Sequence, residues 1–309
     1  MRKTKERLGW PVEPPVFVPR SARERFREAL GRGTTEQADW NARMASYASA
    51  HAALARELPG RLRGELTDGW DPDVPVFPAD AKVMATRVAG AKAMNAIAPR
   101  LPLLCGGSVD LDPSTHTGFK GLGDFNPPLT PDANSDTDTE GSDAGGWGFA
   151  GRNMHFGERE HAMGAVVNGL AAHGFTGYGA TFLIFSDHPH SPIRLAALMG
   201  LHLGHVSAHD SLVLGGDGPT HQPVEPLASL RAVPGLFVIR PCDANQTAVA
   251  WKVAVEAGDR PVLLALPART WPRSTAAAAA AAAAARAPKA CAAVRVGRAT
   301  RPAFRLASS

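Results

Sequence analysis

The chain has 309 residues, 44% of them hydrophobic, which suits one large or two modest globular domains with a core of useful size. Its formal charge of +4 is not a property of the body: 286–309 carries six Lys or Arg and no acid, 132–143 is an acidic run, and without the tail the balance is slightly negative with no basic cluster, which excludes nucleic-acid binding as the main activity. No run of about 20 apolar residues and no signal-peptide pattern occurs, so no membrane span or leader is expected and the expected location is cytoplasmic.

In chain order, 21–31 and 34–58 read as two helices, the second Ala-rich with Trp40, Met44 and Tyr47 spaced by three and four. They form a helical lead-in over 1–80. From 82 onward short apolar runs alternate with Ala-rich helical stretches. Strands are expected at 101–105, 180–185, 202–208, 236–240 and 262–266, and helices at 160–173, 191–199 and 245–256. Between them 126–148, rich in Pro, Asp, Ser, Thr and Gly, reads as a surface loop. Alternating strands and helices mean an α/β domain over 81–273, a parallel sheet covered by helices on both faces. Ten alanines at 276–285 and the basic tail offer no amphipathic pattern, so 274–309 is read as outside the domain. Cys105, Cys242 and Cys291 are isolated, with neither metal spacing nor an even framework, and are expected as small core residues in a reducing compartment.

In a parallel sheet, ligand sites lie in the loops at the carboxyl ends of the strands. Polar residues crowd there. Glu160 opens a helix, where an acid is also favoured simply by the helix dipole. Phe182 and Phe185 close an expected strand, and a spacing of three on a strand would turn them to opposite faces. His209 and His221 follow the next strand, and each could be a plain loop histidine.

The segments "FGEREHAMGAVVNGLAAHG", "YGATFLIFSD", "AHDSLVLGGDGPTHQPVEPLASLRAVP" and "RPCDANQTAVAWKVAVE" together resemble the pyrimidine-binding domain of transketolase. The resemblance continues upstream through "LGWPVEPPVFVP", "DWNARMASYA", "ATRVAGAKAMNAIAPRLPLLCGGSVDLDPSTHT" and "KGLGDFNP", covering about 8–266. It also settles a competing motif. Gly216-Asp217-Gly218 followed by Asn245 imitates the GDG-then-Asn metal-and-diphosphate motif of thiamine-diphosphate enzymes. In transketolases that motif belongs to a more N-terminal domain, while the Asp and His of the HQPVE stretch face the substrate, and Gly216 stands where the family has Glu. No metal ligand is therefore assigned here.

The resemblance implies roles for particular residues. Glu160 would hydrogen-bond the aminopyrimidine ring nitrogen of thiamine diphosphate and stabilise the imino tautomer that deprotonates the thiazolium carbon, a relay the protein adds to the cofactor's carbanion chemistry. Phe182 and Phe185 would pack on the pyrimidine, with His188 beside it and Asp110 nearby. His221, with Asp217, would contact the ketose hydroxyls and move protons near neutral pH. Arg87, Ser114 and His209 would hold the sugar phosphate. Departures from the family pattern are His188 in place of Tyr, Glu158 in place of an apolar residue, and Val213 and Gly216 in place of Gly and Glu. The phosphate-binding Arg expected after the last strand has only Arg269, in "ALPARTWP", one residue out of register.

Two functions of different class follow. One is transketolase-like transfer of a two-carbon ketol unit between sugar phosphates, by a partial chain expected to assemble as a homodimer or with a partner chain carrying the diphosphate-binding domain, the Mg2+ ligands coming from a missing domain or that partner chain. The other is a non-catalytic truncated remnant.

Overall fold

The computed structural model describes residues 1–66, 68–78, 83–127, 146–214 and 216–268. The polyalanine run, the basic tail, Cys291, Arg269 and the acidic run 132–143 lie outside the described residues. The chain divides into two compact units, Met1–Gly60 and the part beginning at Arg61.

The first unit is helical: α1 (Arg2–Arg7), α2 (Arg20–Ala50) and α3 (Ala52–Leu62), with no buried residue in any of them. The two expected helices are divided differently. Gly31 and Gly33 do not break α2, because glycine costs about 1 kcal/mol in a helix interior yet keeps its backbone hydrogen bonds. The hydroxyls of Thr34 and Thr35 also bond back to the carbonyls of Leu30 and Gly31 at 2.9 and 3.2 Å. The break falls instead at His51, which leaves helical geometry with φ −134° and ψ 58°.

The second unit holds α4 (Thr86–Ile97), β1 (Leu104–Ser108), α5 (Asp112–Thr115), β2 (Asp124–Phe125), β3 (Trp147–Gly148), α6 (Glu160–Ala172), β4 (Thr176–Phe182), α7 (His190–Met199), β5 (Leu203–Ala208), α8 (Pro226–Arg231), β6 (Phe237–Ile239), α9 (Ala244–Glu256) and β7 (Val262–Leu266). The main sheet is five-stranded in the order β1-β4-β5-β7-β6, and every pairing is parallel. β2 and β3 pair separately, so the expected loop 126–148 ends in ladder geometry at Trp147 and Gly148. Its residues 128–145 are outside the described set.

Alternation along the strands builds two cores. Tyr178 and Ala180, Val206, and Val262, Leu264 and Leu266 join α4 and α9 residues such as Met94 and Trp251 on one face. Leu263 and Ala265 pack with Ile193 and Leu230 of α7 and α8 on the other, where Leu203 meets Met163, Val167 and Ala196 of α6 and α7. Strands buried on both faces read as continuous apolar runs, which is why β7 was legible to the residue. On β4 the α6 side is glycine: a Cβ at Gly179 would come within 3.0 Å of the Met163 sulfur, so this helix sits closer than any side chain there would allow.

β1 begins three residues later than its apolar run suggests. Leu104 N–H closes a turn on Leu101 C=O, and the Gly-Gly-Ser portion is held extended by partners on both sides. One is β4; the other is the segment around Met154, whose N–H donates to Gly106 C=O at 2.8 Å. Of the two described cysteines, Cys105 is buried, and burial pushes its thiol up to about 11. Cys242 is exposed, contrary to expectation, because it precedes the α9 N-cap Asp243 in a turn where only its backbone N–H is engaged, by Gln246 Oε1.

His205 of β5 is 3% exposed, and its Nε2 finds no partner among the described residues. Burial pushes this imidazole from 6.5 down to about 4. Between those values the unfolded chain binds a proton that the folded chain does not, so stability falls as pH falls through that window. The expected loss is on the order of 3 kcal/mol, at 1.36 per pH unit. Denaturant midpoints at pH 7 and 4.5 would show it as part of the total drop, to which His209 adds, and His205→Asn would reduce that drop by about this amount; an equal drop in the variant would assign the effect elsewhere.

Candidate functional site

The site lies where β1, β4 and β5 end. After Phe182 the chain turns into a 3-10 segment, Ile184–Asp187, so Phe185 is not on the strand as expected. The tighter turn brings the two rings to the same side, stacked at 5.9 Å between centroids and 16° between planes. Nearly parallel rings at that separation are offset, as aromatic quadrupoles prefer. His188 extends the stack over Phe185 at 5.9 Å and 17°.

Glu160 is the first residue of α6, where the helix dipole favours a carboxylate. Its side chain is only 11% exposed, and Oε2 lies 3.3 Å from Nδ1 of His188. The acid and the aromatic floor, apart in sequence, are thus joined through His188, a contact that the sequence does not announce.

At the end of β5 His209 takes a left-handed backbone conformation, φ 54°, which swings its ring onto Phe182 at 3.9 Å between centroids. Its Nε2 lies 3.5 Å from Nη1 of Arg87, which donates to the Ser114 carbonyl at 2.7 Å. The Ser114 link therefore runs through the backbone. Burial, with Arg87 beside it, pushes the His209 imidazole down to about 4 against the pull of Asp217. A neutral ring whose Nε2 faces a guanidinium carries its proton on Nδ1. That atom is buried and without a partner among the described residues, as is Nε of Arg87. Burial likewise lowers the Arg87 guanidinium, opposed by the Asp217 charge.

His221 ends a 3-10 turn, Pro219–His221, and stands edge-on to Phe182 and Phe185 at 5.8 and 5.2 Å. Asp217 is exposed in the preceding turn. Asp110, also exposed, has φ 58° just past β1. Asn245 is far from any role beside Asp217: its amide accepts from Phe77 N–H at 2.8 Å and donates to Phe77 C=O at 2.9 Å, buried on α9. Among the described residues no cluster of three His, Cys, Asp or Glu could hold a metal ion, and no helix is long and apolar enough to cross a membrane. Glu158 and Gly216 are exposed, and the Val213 side chain lies outside what is described.

Sequence reading missed His116. It caps α5 with φ 56°, and burial and Arg87 both lower its imidazole, which in turn acts on His209. Its signal was present, two residues after Ser114 in "DPSTHT". It also missed Asp210, whose buried carboxylate meets Nε of Arg240 at 2.6 Å.

Known proteins share both the sequence and the fold of this chain. Residues 82–273 match the family described as transketolase, pyrimidine binding domain, and 1–67 match transketolase, thiamine diphosphate binding domain. The helices read as a lead-in therefore have relatives of their own within that second family. The transketolase of Geobacillus stearothermophilus is 44% identical over 277 residues, 89% of this chain and 38% of that protein. That of Bacillus subtilis is 41% identical over 271 residues, again 38% of its length. A structure of transketolase in complex with sedoheptulose-7-phosphate, from Pichia stipitis, superposes with a TM-score of 0.75 at 37% identity, covering 88% of this chain and 38% of that one. The chain thus spans about two fifths of the length of these relatives. With residues 82–273 matched to that family and 89% of the chain aligned to a transketolase at 44% identity, this chain belongs to the transketolase family through its pyrimidine-binding domain.

Proposed function

We propose that this chain supplies the pyrimidine-binding half of a site for thiamine-diphosphate-dependent transfer of a two-carbon ketol unit between sugar phosphates. The observation that carries the reading is the parallel Phe182–Phe185 stack with the mostly covered Glu160 carboxylate bridged to it by His188. An aminopyrimidine fits these donors: it needs a flat apolar face and one acid at a ring nitrogen. When bound, thiamine diphosphate supplies the carbanion chemistry. The chain's residues do the rest: Phe182 and Phe185 orient the ring, Glu160 holds a proton at its nitrogen, and Asp110 lies nearby. His221 and Asp217 meet the ketose hydroxyls. Arg87 and His209, with Ser114 behind them, meet the phosphate, and the buried unpartnered His209 Nδ1 and Arg87 Nε are donors suited to its oxygens. The diphosphate and its Mg2+ are assigned to a separate partner chain carrying the diphosphate-binding part, since Mg2+ needs carboxylate and phosphate oxygens in near-octahedral array.

Energetics separate the halves. Stacking is worth about 0.5–1.5 kcal/mol beyond area burial, and one charge-assisted hydrogen bond about 1.5–3, against an association cost of about 4–15. The chain alone is expected to show no saturation with micromolar thiamine diphosphate and Mg2+ in calorimetry, and no ketol transfer. Addition of a chain bearing the diphosphate-binding part is expected to produce both. Turnover by the purified chain alone would refute this division of labour, and failure to bind even in the assembled complex would refute the function.

A further inference from the structure

The proposed reaction assigns no work to His188 beyond lying beside the pyrimidine, yet its exposed ring is engaged on two sides. Its backbone N–H donates to Phe185 C=O at 3.0 Å, and its ring lies flat on the Phe185 ring. Its Nδ1 stands 3.3 Å from Glu160 Oε2, though the side chain is 61% exposed. Exposed ion pairs are usually worth little because two long side chains must be held in one geometry. Here part of that cost is already met, on one side by the stack and on the other by the burial of the Glu160 side chain, 11% exposed at the first turn of α6. Asp187 and His190 lie near His188 in sequence, Arg159 precedes Glu160, and His221 stands edge-on to Phe185 at 5.2 Å. Within 4.0 Å, the charged group paired with His188 is Glu160.

We infer that His188 is a positioning residue that aims the Glu160 carboxylate: its Nδ1–H holds Oε2, so that the other oxygen is presented in one orientation toward the ring bound on Phe182 and Phe185. The acid of the site is thereby steered by a side chain whose own orientation is set by stacking, and the stack and the acid move as one unit. The functional part of this inference rests on the reading above, while the Nδ1 contact does not.

A neutral imidazole that donates from Nδ1 must carry its proton there, whereas a free imidazole prefers Nε2. Nitrogen NMR of the full chain, with labelled histidines and at about pH 8.5, above the ordinary imidazole range, reads this directly. The His188 signals, assigned by their loss in His188→Phe, are expected to report the Nδ1–H form, and Glu160→Ala is expected to shift them to Nε2–H. An Nε2–H form in the unsubstituted chain, or signals indifferent to Glu160→Ala, would overturn the contact. In the assembled complex, His188→Phe keeps a ring over Phe185 and is expected to lower kcat about tenfold with cofactor affinity within about threefold, the mark of misaimed rather than lost binding. His188→Asn, whose amide nitrogen takes the place of Nδ1, is expected to recover most of that loss. Equal losses in both variants would overturn the positioning role. A complex inactive even without substitution would overturn the proposed function and leave the tautomer to decide the contact.

Discussion

Glu160→Gln is expected to lower kcat of the assembled complex by about 10²–10⁴, the usual contribution of a positioned acid or base. An amide can still accept a hydrogen bond from a ring, but it cannot exchange a proton with a ring nitrogen. Both its size and the aromatic floor are kept, so cofactor affinity should fall far less than turnover. The fold should hardly register the change: an acid in the first turn of α6 contributes about 0.3–1 kcal/mol through the helix dipole. Steady-state kinetics beside a denaturation curve separates the two effects. Retention of more than about a third of the activity would sink the assignment, because that lies well outside the acid-base range. The neighbouring His188 makes the experiment sharper. If Glu160 acts only by anchoring His188, Glu160→Gln, which can still accept from Nδ1, would be nearly silent.

Phe119→Ala is expected to destabilise the second unit by about 3–5 kcal/mol, the range for deleting a fully buried aromatic. Phe119 is 0% exposed and edge-on to Tyr178 at 5.3 Å and 84°, and the Arg152 guanidinium lies 5.0 Å from its ring centroid. Its backbone is pinned as well: Asn153 accepts from Phe119 N–H at 2.7 Å and donates to Phe119 C=O at 2.9 Å. The site of the lost ring therefore cannot collapse easily, which places the cost toward the upper end. The Tyr178 hydroxyl, bonded to Thr117 C=O at 2.6 Å, ties the same cluster to the residues just after α5. The loss should thus loosen Ser114 and His116 as well as lower the urea midpoint. A shift below about 1 kcal/mol would mean that the core repacks around the gap, against the pinning of the backbone.

The amino-acid sequence by itself determined the layers. The apolar run of β7, the helical stretches of α6 and α9 and their regular alternation with strands predict a parallel sheet between helices, and the parallel pairing and both packed faces follow that expectation. It also placed Glu160, Phe182, Phe185, His209 and His221 at or near the carboxyl ends of the strands, because strands in parallel register bring all those ends to one edge of the sheet. Only the tertiary structure decided what each of those side chains faces. Phe185 joins Phe182 because a 3-10 turn replaces the expected strand end, and no period in "TFLIF" distinguishes the two. His209 reaches Phe182 and Arg87 because a left-handed backbone turns it there, a choice made by packing rather than by local preference. Asn245 follows Gly-Asp-Gly at a metal-site spacing, yet both ends of its amide are spent on Phe77, 168 residues away. Periodicity is a local property that burial enforces on every residue of an element, so it survives in the sequence. A partner across the fold is fixed by the sum of many contacts, and the pair His188–Glu160 leaves no trace in the chain until they are made.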